Sequence, residues 1–325
     1  MNLIRAEVSR LLSRRFTVIM VIGLFAVFGI TAATTLANST RPGEDTWATA
    51  ERTAQERRNS LAQFKVTCQE AFVEDREAAE AAFPQGCDAA ADASHIRPEL
   101  YLEDAFVFAQ EISGLTVFLA VYLSFFAFVI AASFIGAEMS SGGITNLLLW
   151  RPQRSSILGA KLAALTGCVV AFSLVFTVLY VGAFYLIAYT SGWTGDTGAA
   201  AFWGELLALC GRGIALSTAS AACAFALATL ARHTAAALGI AVGYFLIWEA
   251  GARIVFEIGG MLPYDPYFLS SYLSAFVTGD LKYWTGLDGA GDLVITRLSG
   301  GMVLAGLTAV LTVAAFANFR RRDLT

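Results

Sequence analysis

Six long apolar runs constrain this chain more than any other feature. They lie at roughly Phe16–Ala37, Ala105–Ile135, Leu162–Thr190, Phe202–Leu230, Ala235–Ile258 and Leu298–Ala317. About 20 mostly apolar residues suffice for a helix to cross a bilayer. The strands of a membrane barrel would instead alternate every second residue over about 10 positions. The runs here are continuous and rich in Ala, Gly, Ser and Thr, which let membrane helices approach closely. Composition agrees: 57% of residues are hydrophobic, 15% are charged, and mean hydropathy is +0.62. A soluble chain of this kind would expose apolar patches that soluble monomers do not tolerate, which excludes a soluble enzyme. A net charge of −4 and a pI near 5.3 argue against a nucleic-acid binder. Disorder would need the opposite composition. The expected fold class is an all-α polytopic membrane protein with six transmembrane helices.

Six spans put both termini on one side, and charge says which. If that side is the cytoplasm, the inner segments 1–15, 136–161, 231–234 and 318–325 hold eleven basic residues against Glu7, Glu138 and Asp323. The outer segments 38–104, 191–200 and 259–297 hold nine basic and nineteen acidic residues. Short basic loops stay inside, so we expect a multi-pass cell-membrane protein with both termini cytoplasmic. Arg10, Arg14 and Arg15 before an apolar run resemble a signal peptide, but the run is long enough to span and five more follow it. The first span is expected to be retained.

Residues 1–15 form an amphipathic helix, with Ile4, Val8, Leu11 and Leu12 on one face and Arg5, Ser9, Arg10 and Arg14 on the other. Such a helix lies among headgroups with its arginines toward anionic lipid, or it is a basic flank that orients the first span. The outer loop 38–104 is expected to be partly helical, from Thr46 to Glu80, as a small cap. Cys68 and Cys87 both fall in this loop, on the oxidising side. They are the disulfide candidate, and closing a loop of about 20 residues is worth roughly 3 kcal/mol. Cys168, Cys210 and Cys223 lie singly within spans, His95 and His233 are isolated, and no metal-ligand spacing joins any of them. Segment 259–297 carries Tyr264, Tyr267, Phe268, Tyr272, Phe276, Tyr283 and Trp284, an interfacial aromatic belt. Phe268–Val277 within it reads as a short re-entrant or surface helix.

Ionisable residues within spans are costly and mark functional candidates. Glu249, Arg253 and Glu257 fall at i, i+4 and i+8 on one face of the fifth span, each able to pair with the next. Glu205 and Arg212 share a face of the fourth. Glu205 and Glu257 sit near the outer ends, within reach of headgroups. Arg212 is about ten residues inside and needs a partner, for which Glu249 is the candidate. These charges form either an ion-pair lock between helices or part of a substrate or proton pathway.

No phosphate-binding loop, zinc-protease motif or nucleophile elbow occurs. Tyr264–Asp265 and Gly289-Ala290-Gly291-Asp292 match the motif pair of presenilin-type intramembrane proteases. Both fall in one outer Gly/Pro-rich segment, where a proton-sharing dyad in hydrocarbon is not expected. The informative stretch is the inner loop 136–161. Its Gly142–Gly143 pair ends the second span, Ile144–Trp150 reads as a short apolar helix stopped by Pro152, and Arg154 and Lys161 anchor the return. A short apolar helix outside the bilayer is a surface for another protein to grip.

This loop resembles that of the permease subunits of type-2 ATP-binding-cassette (ABC-2) exporters. Glu138, Gly142, Leu147, Leu148, Pro152, Arg154 and Lys161 match in kind and order. Gly143 replaces the family's Thr, and Pro152-Gln153-Arg154 is one residue shorter than its usual turn. The interfacial N-terminal helix, the six-span plan and the basic tail 318–325 extend the likeness. The resemblance implies an exporter permease for a hydrophobic or amphipathic substrate, working as a dimer with a second copy or a paralogue. It implies cytoplasmic ABC ATPase subunits that carry the ATP and Mg, with no cofactor on this chain and no enzymatic activity of its own. It assigns ATPase coupling to Glu138, Gly142, Ile144, Leu147, Leu148, Trp150, Arg151, Pro152 and Arg154. The alternatives are an ion-coupled secondary transporter, a non-transporting scaffold and an intramembrane protease. The first usually shows internal repeats, and none relates the two halves of this chain.

Overall fold

The computed structural model describes residues 2–83, 86–90, 92–142, 153–261, 263–283 and 293–321. The chain is an all-α polytopic membrane protein. In order, its helices are α1 Asn2–Leu12, α2 Arg15–Ala37, α3 Glu44–Glu74, α4 Arg76–Ala82, α5 Gly86–Ala90, α6 Phe108–Ser140, α7 Arg154–Ser191 and α8 Ala200–Ala231. They continue with α9 Thr234–Ile258, α10 Leu269–Thr278 and α11 Arg297–Arg321. Six of them, α2, α6, α7, α8, α9 and α11, are long and apolar enough to cross a membrane. The helices α6 and α7 run beyond the expected apolar limits, to Ser140 and from Arg154, and so carry Glu138 and Lys161 inside helices rather than in a loop.

One compact unit comprises residues 1–29, 113–181 and 199–325. Its core joins Ala131, Phe134 and Ile135 of α6, Ile157 and Leu165 of α7, and Ala221, Ala224, Phe225 and Ala228 of α8. Small residues set the spacing. A Cβ on Gly213 would come within 2.9 Å of the Ala120 Cβ, so α6 and α8 approach more closely there than any larger side chain permits. Gly136 lies against the start of α9, where a Cβ would stand 2.6 Å from the Thr234 nitrogen. Arg232, in the left-handed region at φ 58°, ends α8, and the His233 ring accepts a hydrogen bond from the Ala235 N–H at 3.2 Å to start α9. Within α9, Phe245–Ala252 winds as a π-helix. The segment after α9 is more structured than expected. A 3₁₀ turn at Asp265–Tyr267 leads into α10, followed by a small antiparallel pair, β1 Leu281–Tyr283 with β2 Leu293–Ile295.

The other unit comprises residues 30–112 and 182–198. The expected helical cap is present but divides at Asp75. Its carboxylate accepts from the N–H groups of Glu77 and Ala78, both at 3.1 Å, and so starts α4 afresh. Cys68 on α3 and Cys87 on α5 are joined, with Cα atoms 5.7 Å apart. Arg58 reaches the Ile96 carbonyl at 2.7 Å and fixes the chain before the turn Pro98–Tyr101 to α3. The Ser39 hydroxyl donates to the Ser191 carbonyl at 2.7 Å and accepts from the Phe106 N–H at 3.0 Å, and the Trp47 and Trp193 rings meet edge to face at 5.1 Å.

Candidate functional site

A buried four-charge clasp ties α1, α6 and α7 together. The Lys161 ammonium, fully buried, donates to Glu7 Oε2 at 2.6 Å and to Glu138 Oε2 at 2.6 Å. The Arg14 guanidinium pairs with the other Glu138 oxygen and reaches the Ser133 carbonyl at 3.3 Å. Arg10 adds a 3.3 Å contact to Glu7 Oε1. Both cations also lie over the Phe134 ring, Arg14 at 5.0 Å and Lys161 at 5.3 Å from its centre. Glu7, Arg14, Glu138 and Lys161 sum to zero charge, which permits ionic chemistry in a buried place, and Arg10, half exposed to solvent, adds its charge at the edge. Glu7 is only 1% exposed because the α1 spiral puts it on the apolar face with Ile4, Val8 and Leu11.

The clasp holds the two helix ends that flank residues 143–152. On the α6 side Gly142 adopts φ 71°, a left-handed ending that a residue with a side chain resists. On the other side Arg154 opens α7. Of the coupling residues assigned from sequence, Glu138, Gly142 and Arg154 are therefore described. Ile144, Leu147, Leu148, Trp150, Arg151 and Pro152 lie outside the described residues. Glu138 and Lys161 belong to the same sequence motif, and the structure pairs them directly. Glu7 was missed, although one acid on the apolar stripe of a basic helix is a legible sign of a buried counter-ion.

A second constellation surrounds α10. Glu249, 7% exposed, accepts through Oε1 from the Tyr244 hydroxyl at 3.0 Å and the Ser270 N–H at 3.1 Å, and through Oε2 from the Ser270 hydroxyl at 2.5 Å. Its carboxylate thus sits at the N-terminus of α10. At the other end Arg212 Nε donates to the Val277 carbonyl at 2.9 Å. The expected Arg212–Glu249 pair is replaced by an arrangement in which each charge meets the end of α10 that carries the opposite dipole charge. The expected pairing along α9 also changes. Among the described ion pairs Arg253 meets neither Glu249 nor Glu257; it reaches the hydroxyls of Ser270 at 3.1 Å and Ser271 at 3.5 Å, and Asp265 at 4.0 Å. Its guanidinium lies 4.7 Å from the Phe268 ring centre. Glu205 and Glu257 are exposed. Asp265 faces Arg253, while Asp292, the other acid of the protease motif pair, lies outside the described residues.

Glu249, Tyr244 and Ser270 also line a cavity of about 390 Å³ among α6, α8, α9 and α10. No cluster of three or more metal-ligating side chains occurs among the described residues.

A family model described as a protein of unknown function, DUF2705, matches residues 100–325. The chain belongs to the DUF2705 family. No curated protein matches it. The family match takes in Glu138, Lys161, Arg212 and Glu249, and leaves outside it Glu7 of α1 and Arg14 between α1 and α2, together with the disulfide.

Proposed function

We propose that this chain is the membrane-spanning permease subunit of an ATP-driven transporter of the ABC-2 type, exporting a hydrophobic or amphipathic substrate. Separate cytoplasmic ATPase subunits supply ATP hydrolysis, a second copy or paralogue completes the pathway, and both termini lie in the cytoplasm. The observation that carries this reading is the inner loop, whose Glu138, Gly142, Leu147, Leu148, Pro152, Arg154 and Lys161 match the coupling segment in kind and order. The clasp supports it physically. A loop that receives force from a partner needs both its ends anchored, and Glu138 and Lys161 bind the ends of α6 and α7 to each other and to α1. ATPase closure then moves α1, α6 and α7 together, and ATP and substrate bias one two-state element.

The test is to purify the tagged protein from its native membrane in mild detergent and identify co-purifying chains by mass spectrometry. A stoichiometric soluble ATPase is expected, and Leu148→Glu is expected to abolish its capture while leaving elution volume and thermal unfolding unchanged. Glu138 is unsuited to this test, because its substitution also opens the clasp. If no ATPase is found under conditions that keep known exporter complexes intact, the permease reading gives way to the ion-coupled carrier.

A further inference from the structure

We propose that the cavity among α6, α8, α9 and α10 binds an amphipathic organic cation, with Glu249 as its charge partner. This deepens the transport reading and rests on it for the cation's being the cargo. The binding itself is a property of this chain alone.

The cavity, about 390 Å³, lies within the range of small-molecule sites. Val121, Leu216, Phe245 and Leu273 give it apolar walls, and Ser124 on α6 and Ser220 on α8 also line it. Among the described residues, the wall contains one carboxylate and no Lys or Arg. An ionised carboxylate offers about four acceptor positions. Tyr244 and the Ser270 N–H occupy both positions on Oε1, and the Ser270 hydroxyl occupies one on Oε2. One position on Oε2 is left.

The carboxylate also has no direct ion pair. Among the described residues, the ion pairs do not include Glu249. Arg253 meets it through the Ser270 hydroxyl and is itself engaged with Asp265. Hydroxyl and amide dipoles hold the carboxylate, and a low-dielectric wall strengthens its pull on a cation. A neutral lipid tail would fit the walls but leave the carboxylate without a direct counter-ion. A flat or compact cation with an apolar body meets both.

The experiment uses the full chain in lipid nanodiscs without any ATPase, with ethidium as the cationic probe, neutral phenanthridine as its uncharged counterpart, and empty nanodiscs as the baseline. Fluorescence titration is expected to show saturable ethidium binding that Glu249→Gln weakens about tenfold or more, the scale of a lost charge-assisted contact. Glu257→Gln, an exposed carboxylate on the same helix, is expected to leave it unchanged, and phenanthridine is expected not to distinguish wild type from Glu249→Gln. Ser220→Leu fills the cavity from the opposite wall without touching the Glu249 bonds, and is expected to abolish binding even if Glu249→Gln folds poorly. Absence of saturable ethidium binding, or binding indifferent to both variants, would overturn the site. Neither result depends on whether an ATPase is captured, so this proposal and the permease reading fail separately.

Discussion

The clasp and the surroundings of α10 solve one problem in two ways. Both hold charges in a membrane protein's interior, where an unanswered charge costs several kcal/mol. At the clasp, Glu7, Glu138, Arg14 and Lys161 answer each other directly, across as many as 154 residues of sequence. Around α10, Glu249 and Arg212 never meet, and a helix of 10 residues stands between them with its positive end on the acid and its negative end on the base. Direct pairing is strong and rigid, and it leaves little for a ligand. Pairing through a helix dipole is weaker and leaves Glu249 with a free acceptor position beside a cavity. The clasp is therefore suited to transmitting force, and the α10 region to binding and rearranging.

The largest effect that separates the two is expected from Lys161→Met. It leaves Glu7, 1% exposed, and Glu138 without their shared cation, for an expected loss of about 3–5 kcal/mol. Thermal unfolding in mild detergent should show it, and a loss below about 1 kcal/mol would mean that the clasp does not bear on stability. The companion variant, Glu7→Leu with Lys161→Leu, removes the charges as a pair and leaves Glu138 to Arg14. It is expected to recover most of that loss, since well-packed apolar replacements of buried pairs are often neutral.

Next comes Gly300→Ala. Gly300 on α11 touches α10 so closely that a Cβ would stand 2.2 Å from the Tyr272 carbonyl oxygen and 2.9 Å from the Phe276 nitrogen. Backbone cannot yield as a side-chain tip does, so α10 must shift, at an expected cost of about 1–3 kcal/mol. Both charges remain in the chain. If α10 mediates between them, this uncharged substitution also weakens ethidium binding at Glu249. Unchanged binding would detach Glu249 from the position of α10. Smaller again is Arg212→Met, which removes one charged donor from the Val277 carbonyl, at an expected cost of about 1–2 kcal/mol in thermal unfolding.

Much of this architecture is legible in the sequence because the bilayer demands it. Spans announce themselves by length, and the disulfide by two cysteines in the one long polar loop between the first two spans. Charges within spans are conspicuous for being there at all. Their partners are not legible, for reasons particular to each. Glu7 meets Lys161 only because α1 folds back against α7, a matter of packing that periodicity does not contain. Glu249 misses the i, i+4 partner expected of it because Arg253 turns to Ser270, Ser271 and Asp265, tertiary contacts that helical periodicity does not contain. The position of α10 between two charges is likewise a tertiary fact. Its apolar stretch was recognisable, but not the ends it would present. The six coupling residues from Ile144 to Pro152 remain a reading of sequence alone.

The finest distinction is a difference of differences. In a double-mutant cycle, residues in contact or in one ionic network show coupling of about 0.5–3 kcal/mol, while independent sites add within about 0.3–0.5 kcal/mol. Glu7 and Lys161 are in contact at 2.6 Å, so their cycle should fall at the upper end of the first range. Glu249 and Arg212 act on opposite ends of α10, and each is satisfied at its own end whether or not the other is charged. Their cycle, Glu249→Gln with Arg212→Met, is expected to fall within the additive range. A coupling above about 1 kcal/mol would mean that the two charges feel each other directly. The dipole account of α10 would then give way to the ion pair expected from sequence, and the free acceptor position on Glu249 would disappear with it.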